Sequence, residues 1–361
     1  MRGFCARHRG LLVWLAADGA ALAAFFLLRA HRAVMNACSA RVAMPLERAL
    51  GALCARAPFS VGEWLYALAI LAVPVYLVGS AFAVRRAARR GETACVRLMG
   101  LAAAALTAYA AFCLLWGVNF YADGFQEKSG VAAAPVAREE LIAVTRYFAE
   151  QTAACADDVP RDADGAFAVP REEILAYAPA LYEETMYTEF PFLRMRDDPV
   201  KRLFFSRLMS EMNFTGVYIP FTGESCLNTD FPADQLPATV AHELAHRRGL
   251  ASEQECNFVA VLAASRSENA AYRYSGYLMG YIHLSNALYA ADRAAWREIA
   301  ALLPAAVNAD LEKANAYWAQ FETPVAEASD RAYDAMLKSY GHALGTRSYG
   351  AVVDLLVAYY K

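Results

Sequence analysis

Three long apolar runs, at residues 11–28, 64–84 and 98–118, dominate the first third of the chain. Beyond residue 119 the pattern changes to short amphipathic segments interrupted by charge. Each run approaches or reaches the ~20 residues that a helix needs to cross a bilayer. The first run contains Asp18, the second contains Pro74, and the third ends near Trp116. A carboxylate facing lipid is costly, so Asp18 is expected to face the other two helices. Arg2, Arg7 and Arg9 precede the first run, as in a signal peptide. That run is longer than a signal core and ends without a small-x-small cleavage site, so it reads as a retained span.

In the remainder, Leu141, Val144, Phe148 and Ala149 recur at helical spacing and predict a helix over 138–155. Pro170 opens a helix expected to reach about 186, and Asp198-Pro199 opens another expected to reach about 212. The period then changes. Thr215-Gly216-Val217-Tyr218-Ile219-Pro220-Phe221 alternates, and Thr222-Gly223-Glu224-Ser225 has turn chemistry, which together predict a short hairpin or edge strand. An extended peptide can add to such an edge. Pro237 starts the next helix, and after Gly249 another begins near Ser252 and runs through Ala264. Further helices are expected over 272–291, 296–321, 330–340 and 348–360, the last with Val352, Leu355, Leu356 and Tyr359 facing inward.

Composition agrees with a membrane protein: 58% of residues are hydrophobic and the mean hydropathy is +0.23. Charge is divided. Residues 1–118 hold 13 arginines against Asp18, Glu47, Glu63 and Glu92, so the rest of the chain is acidic. The densest cluster, Arg85, Arg86, Arg89, Arg90 and Arg97, lies between the second and third runs. By the positive-inside rule that loop is cytoplasmic, which puts residues 119–361 outside a multi-pass cell-membrane protein. Arg29, Arg32, Arg41, Arg48 and Arg56 run against this assignment. An acidic domain without a basic stripe excludes nucleic acid as a partner. The eight cysteines show no disulfide spacing, and only Cys155, Cys226 and Cys256 lie beyond the apolar third.

Chemistry concentrates in His242-Glu243-Leu244-Ala245-His246, although the chain has only six histidines. Positions i and i+4 share a helix face, so both imidazoles can bind one Zn²⁺. Glu243 then stands beside the open coordination position as a general base for a zinc-activated water. A third ligand is needed. A metzincin would have histidine at position 252, where this chain has Ser252. Glu253 is preferred, with Glu255 as its rival about 200° round the helix. Glu253-Gln254-Glu255-Cys256-Asn257 is similar to the Glu-x-x-Ala-Asn pattern of glutamate-ligand zinc peptidases (gluzincins), with Cys256 in place of the small residue. Asn257 shares a face with Glu253 and is placed to bond the far nitrogen of a histidine ligand. The gap from His246 to Glu253 is shorter than gluzincins usually have and requires a tight turn, which Gly249 allows. Cys256 is a possible soft ligand, more often a small buried residue at such a position. A hydrolytic oxyanion also needs a second donor, for which Tyr274 and His283 are candidates.

Several stretches carry a wider resemblance: Ala57-Pro58-Phe59-Ser60-Val61-Gly62-Glu63, Trp116-Gly117-Val118-Asn119-Phe120-Tyr121, 215–228, Ala241 to His246, 253–258, Tyr274-Ser275-Gly276-Tyr277 and 340–356. With these the chain resembles an uncharacterised family of bacterial membrane proteins, a domain of unknown function that carries a zinc-peptidase motif. The resemblance covers nearly the whole chain and gives no substrate. It implies a membrane-anchored zinc hydrolase. Arg247 stands where the family often has Gln.

The expected fold is therefore mainly α. Three N-terminal transmembrane helices (1–118) precede a mostly helical, zincin-like α+β metallopeptidase domain (119–361), with a short hairpin before the motif helix. The expected partners are the lipid bilayer and a peptide or protein substrate. The expected activity is that of a zinc metalloendopeptidase. The alternative is a non-catalytic, zinc-stabilised sensor or scaffold, against which Glu243 argues because a structural site needs no base. Intramembrane proteolysis is set aside, since charged residues surround the motif.

Overall fold

The computed structural model describes residues 2–340 and 351–361. They fold as two compact units. One comprises Met1–Leu50, Val61–Ala122 and Pro220–Thr222, and the other Gly51–Ser60, Asp123–Ile219 and Gly223–Lys361.

The first unit contains α1 (Arg9–Leu28), α2 (Val61–Arg86) and α3 (Arg90–Leu115). Among the described residues these are the three helices long and apolar enough to cross a membrane. One end of each helix extends past its apolar run into arginines: α1 begins at Arg9, α2 ends at Arg86 and α3 begins at Arg90. α3 stops short of its run's end, at Leu115, and Gly117–Phe120 forms a 3₁₀ turn. Gly117 disfavours continuation of the helix there. Asp18 is buried, and the partner comes from α3: Thr107 Oγ1 donates to Asp18 Oδ2 at 2.8 Å and itself accepts from Trp14 Nε1 at 2.8 Å. A carboxylate in an apolar helix is tolerated when it is bonded in this way. Between α1 and α2 the chain is helical as well, with Arg32–Cys38, a π turn at Ser39–Ala43, and Met44–Cys54.

The second unit is helical around one small sheet. Strands β1 (Lys201–Arg202), β2 (Gly216–Ile219) and β3 (Glu224–Leu227) lie in the order β1-β3-β2. β2 and β3 form the expected hairpin, with Gly216 opposite Leu227, and β1 runs parallel to β3. β1 corrects the helix expected from Asp198 to Met212, of which only Ser206–Glu211 is helical. Extension at Lys201 is explained by its amine, which is buried and bonded to Glu224 Oε1 (2.6 Å) and to the carbonyls of Cys54 (2.6 Å) and Phe59 (2.9 Å). A buried cation requires such partners.

Two other long helices are broken. The one expected over 170–186 is interrupted at Pro179 into Arg171–Tyr177, a 3₁₀ turn and Leu181–Thr185. The one expected over 296–321 ends before Pro304 and resumes at Ala305. Proline has no N–H for the helix ladder. The core is built by α4 (Arg138–Cys155), α5 (Leu236–His246), α6 (Glu253–Ser265) and α7 (Ala270–Ala291). α6 is buried along nearly its whole length. α8 (Pro324–Ser339) and α9 (Val352–Tyr360) follow. In α9 Val352, Leu355 and Leu356 are buried as expected and Tyr359 is half-buried; the start expected at 348 lies outside the described residues.

Candidate metal centre

α5 carries His242 and His246 one turn apart, and their ring centroids lie 4.7 Å from each other. At Gly249, φ is +79°, a left-handed conformation that suits glycine. The Gly249 N–H closes the helix end on His246 O at 2.8 Å. Ser252 then caps α6, its side chain accepting from Glu255 N. The residue that fills a metzincin's ligand position thus ends a loop and starts a helix. This tight reversal brings Glu253 against both rings: His242 Nε2 lies 3.2 Å from Glu253 Oε2, and His246 Nε2 lies 3.6 Å from Glu253 Oε1. Among the described residues this trio is the group of side chains able to hold a metal, its ligand atoms all within 4.8 Å of one another.

The far side of each ring fixes its tautomer. His242 Nδ1 is 2.8 Å from Asn257 Oδ1, and His246 Nδ1 is 2.8 Å from Leu250 O. Both partners accept, so both Nδ1 atoms donate and both Nε2 atoms present lone pairs to the Glu253 carboxylate. Lone pairs facing a carboxylate need a cation or added protons between them. Two imidazole nitrogens and one carboxylate oxygen form a zinc-type donor set. Ligand distances of ~2.0–2.1 Å give tetrahedral edges of about 3.3 Å. The 3.2 Å from His242 Nε2 to Glu253 Oε2 is close to that edge, and His246 Nε2 lies 3.6 Å from the other oxygen, Oε1. These residues fit zinc. Tyr333, from α8, donates its hydroxyl to Glu253 Oε1.

Glu243 is buried, and its Oε2 has no hydrogen-bond partner among the described residues. Burial raises its pKa against the pull of the two imidazoles. Its neighbour is β2: a Cβ at position 216 would lie 2.6 Å from Glu243 Oε1, so only glycine lets the strand approach this closely. The remaining candidates are separated from the trio. Glu255 caps the short helix Phe125–Ser129, accepting from Phe125 N (2.8 Å) and Gln126 N (3.1 Å). Cys256 Sγ lies 3.3 Å from His246 Nδ1, the face of the ring turned away from Glu253. Tyr274 gives its hydroxyl to Asp310, which also binds Arg161. His283 lines a cavity with Asn257, and burial, assisted by His242, pushes its pKa down to about 4.

Arg247 and Arg248, outside the ligand set, secure the end of α5. Arg247 pairs with Asp198 and Arg248 with Asp197. Three contributors at the site are not named in the reading of the sequence: Tyr333, the carbonyl of Leu250 and the close approach of Gly216. Of these, only the glycine in a β-rich run is visible beforehand as a mark of close backbone approach.

Fold and site together describe a helical membrane protein with a largely buried His/His/Glu cluster beside Glu243, whose Oε2 has no hydrogen-bond partner among the described residues. The chain belongs to the family described as "Protein of unknown function (DUF3810)", which it matches over residues 40–357. No curated protein and no solved structure matches it.

Proposed function

We propose that this protein is a membrane-anchored, zinc-dependent peptidase of the glutamate-ligand class, with a zincin-like domain outside the membrane. The observation that carries this reading is the pair of tautomer-locked imidazoles turned toward Glu253, with Glu243 buried and unsatisfied beside them among the described residues. His242, His246 and Glu253 hold the metal, and Asn257 and Leu250 O orient the rings. Bound zinc supplies positive charge that acidifies water and polarises a carbonyl.

Glu243 takes a proton from the attacking water and returns it to the leaving amine. Its burial favours the proton-accepting step by raising its basicity. Tyr333 is the second donor: released from Glu253, its hydroxyl stabilises the carbonyl oxygen as negative charge develops there. It replaces Tyr274, whose hydroxyl is committed to Asp310.

The sheet supports a peptide substrate. Thr215 O accepts from Asn228 N, and Leu227 O accepts from Leu203 N on the β1 side. In this antiparallel register Gly216 and Tyr218 turn their backbone groups away from β3. β2 is the end strand of the described sheet, so an extended peptide added there would pass Glu243. The arginine cluster at the end of α2 and the start of α3 supports a cytoplasmic turn there and an outward-facing second unit.

The test compares wild type with Glu243→Gln on a mixed peptide library, with metal content measured in parallel. Cleavage falling about 10²–10⁴-fold at unchanged metal content is expected. Equal inertness of both proteins, each with one zinc, favours the scaffold alternative.

A further inference from the structure

Alongside the metal centre, α5, α6 and α7 line a half-open cavity of about 240 Å³. At ~30 Å³ per water it has room for about eight molecules. It is lined from Thr215 before β2, Thr239 one turn ahead of His242, Asn257 on α6, and Ser275, Met279 and His283 on α7. No carboxylate, lysine or arginine is among its described lining residues.

Asn257 joins this cavity to the metal centre. Its Oδ1 is occupied by His242 Nδ1, and the residue also lines the cavity. Asn257 is only 3% exposed, and its Nδ2 has no hydrogen-bond partner among the described residues. A buried donor without an acceptor is unfavourable, and a ligand that brings one recovers the loss. Ser275 Oγ already accepts from Ala238 N, so its own proton is directed elsewhere. Leu278, Met279 and Ile282 add an apolar wall suited to methylene groups.

We propose that this cavity receives the substrate side chain beside the scissile bond and selects an uncharged, medium-length side chain ending in a hydrogen-bond acceptor, glutamine matching best. This rests on the peptidase reading. A glutamine carbonyl satisfies Asn257 Nδ2 while its methylenes lie on the apolar wall. Methionine has the same length and only a weak acceptor. Glutamate would bury a charge with no cation among the described lining residues.

The test uses full-length, zinc-loaded protein in detergent micelles and short peptides identical except for one residue, which is Gln, Met, Glu or Gly, walked along the sequence. Binding is measured to the Glu243→Gln protein and cleavage to the wild type. At one position Gln is expected to bind about tenfold tighter than Met and about 100-fold tighter than Glu. Met279→Trp, which fills the cavity, should shift the preference at that position to Gly with zinc content unchanged.

A flat binding profile, a preference for Glu, or a profile untouched by Met279→Trp overturns the proposal. Cleavage without side-chain preference removes the pocket and leaves the peptidase. Selective binding without any cleavage removes the peptidase and leaves the pocket.

Discussion

Around Arg248 the second unit buries a charge whose every donor group is bonded. Its Nε donates to Leu193 O, Nη1 to Asp197 and Leu244 O, and Nη2 to Asp197 and the Tyr187 hydroxyl, while Tyr182 stacks 3.7 Å beneath the guanidinium. Nearby, around His242 and Glu243 on α5 and Glu253 on α6, polar atoms face one another. Oε2 of Glu243 and Oε2 of Glu253 have no hydrogen-bond partner among the described residues. Both regions are buried and polar, so burial alone does not separate them. Saturation does: a bonded ion pair fixes chain geometry, whereas a convergent set of unsatisfied ligand atoms provides a place for something else.

The largest effect that tests this contrast is on stability. Arg248→Ala leaves Asp197 buried without its counter-charge and is expected to lower unfolding free energy by about 3–5 kcal/mol in denaturant titrations. Glu243→Gln should leave the denaturation midpoint unchanged or raise it, because it removes an unsatisfied buried carboxylate. A comparable loss of stability in both variants would break the comparison.

The next effect is on rate. Tyr333→Phe keeps the ring against Phe214 and removes the donor, so kcat should fall about 100-fold with KM and metal content little changed. An unchanged kcat would make Tyr333 a packing residue.

The smallest effect sharpens the rule itself. Asp234 is also buried with an Oδ2 lacking a partner among the described residues, yet it belongs to no ligand cluster. Burial, reinforced by the nearby Asp310 charge, raises its pKa to about 7. Between the ordinary aspartate value and about 7, the native state holds a proton that the unfolded chain has released. Stability therefore falls as pH rises through that window and levels off above it, with a slope of at most about 1.4 kcal/mol per pH unit. Asp234→Asn should remove this component of the slope in unfolding measured across the window. An unsatisfied atom alone thus signals a stored proton; convergence of several signals a ligand site.

How much of this was legible in the chain follows from distance along it. His242, Glu243 and His246 follow from helix periodicity, and the turn that Gly249 permits leaves Glu253 preferred and Glu255 its rival, so local pattern reaches the two histidines and a pair of glutamates. The three spans and the need of Asp18 for a partner follow from hydropathy, although its bond to Thr107 reaches across 89 residues. β1 was not legible, because Lys201 is extended by carbonyls at Cys54 and Phe59, more than 140 residues away. Tyr333 reaches Glu253 from 80 residues downstream and carries no motif. The sequence prefers Glu253 and keeps Glu255 as its rival; in the structure Glu253 lies against both rings and Glu255 is held by the backbone of Phe125 and Gln126, a contact that no helix-wheel argument contains.

The most direct measurement is the metal content of the full-length protein and of Glu253→Ala and Glu255→Ala, purified in parallel and read by elemental analysis. One zinc per chain is predicted for the wild type and for folded Glu255→Ala, with zinc lost from Glu253→Ala. Tight zinc retained by Glu253→Ala, or a wild type that takes up no zinc, would contradict the assignment.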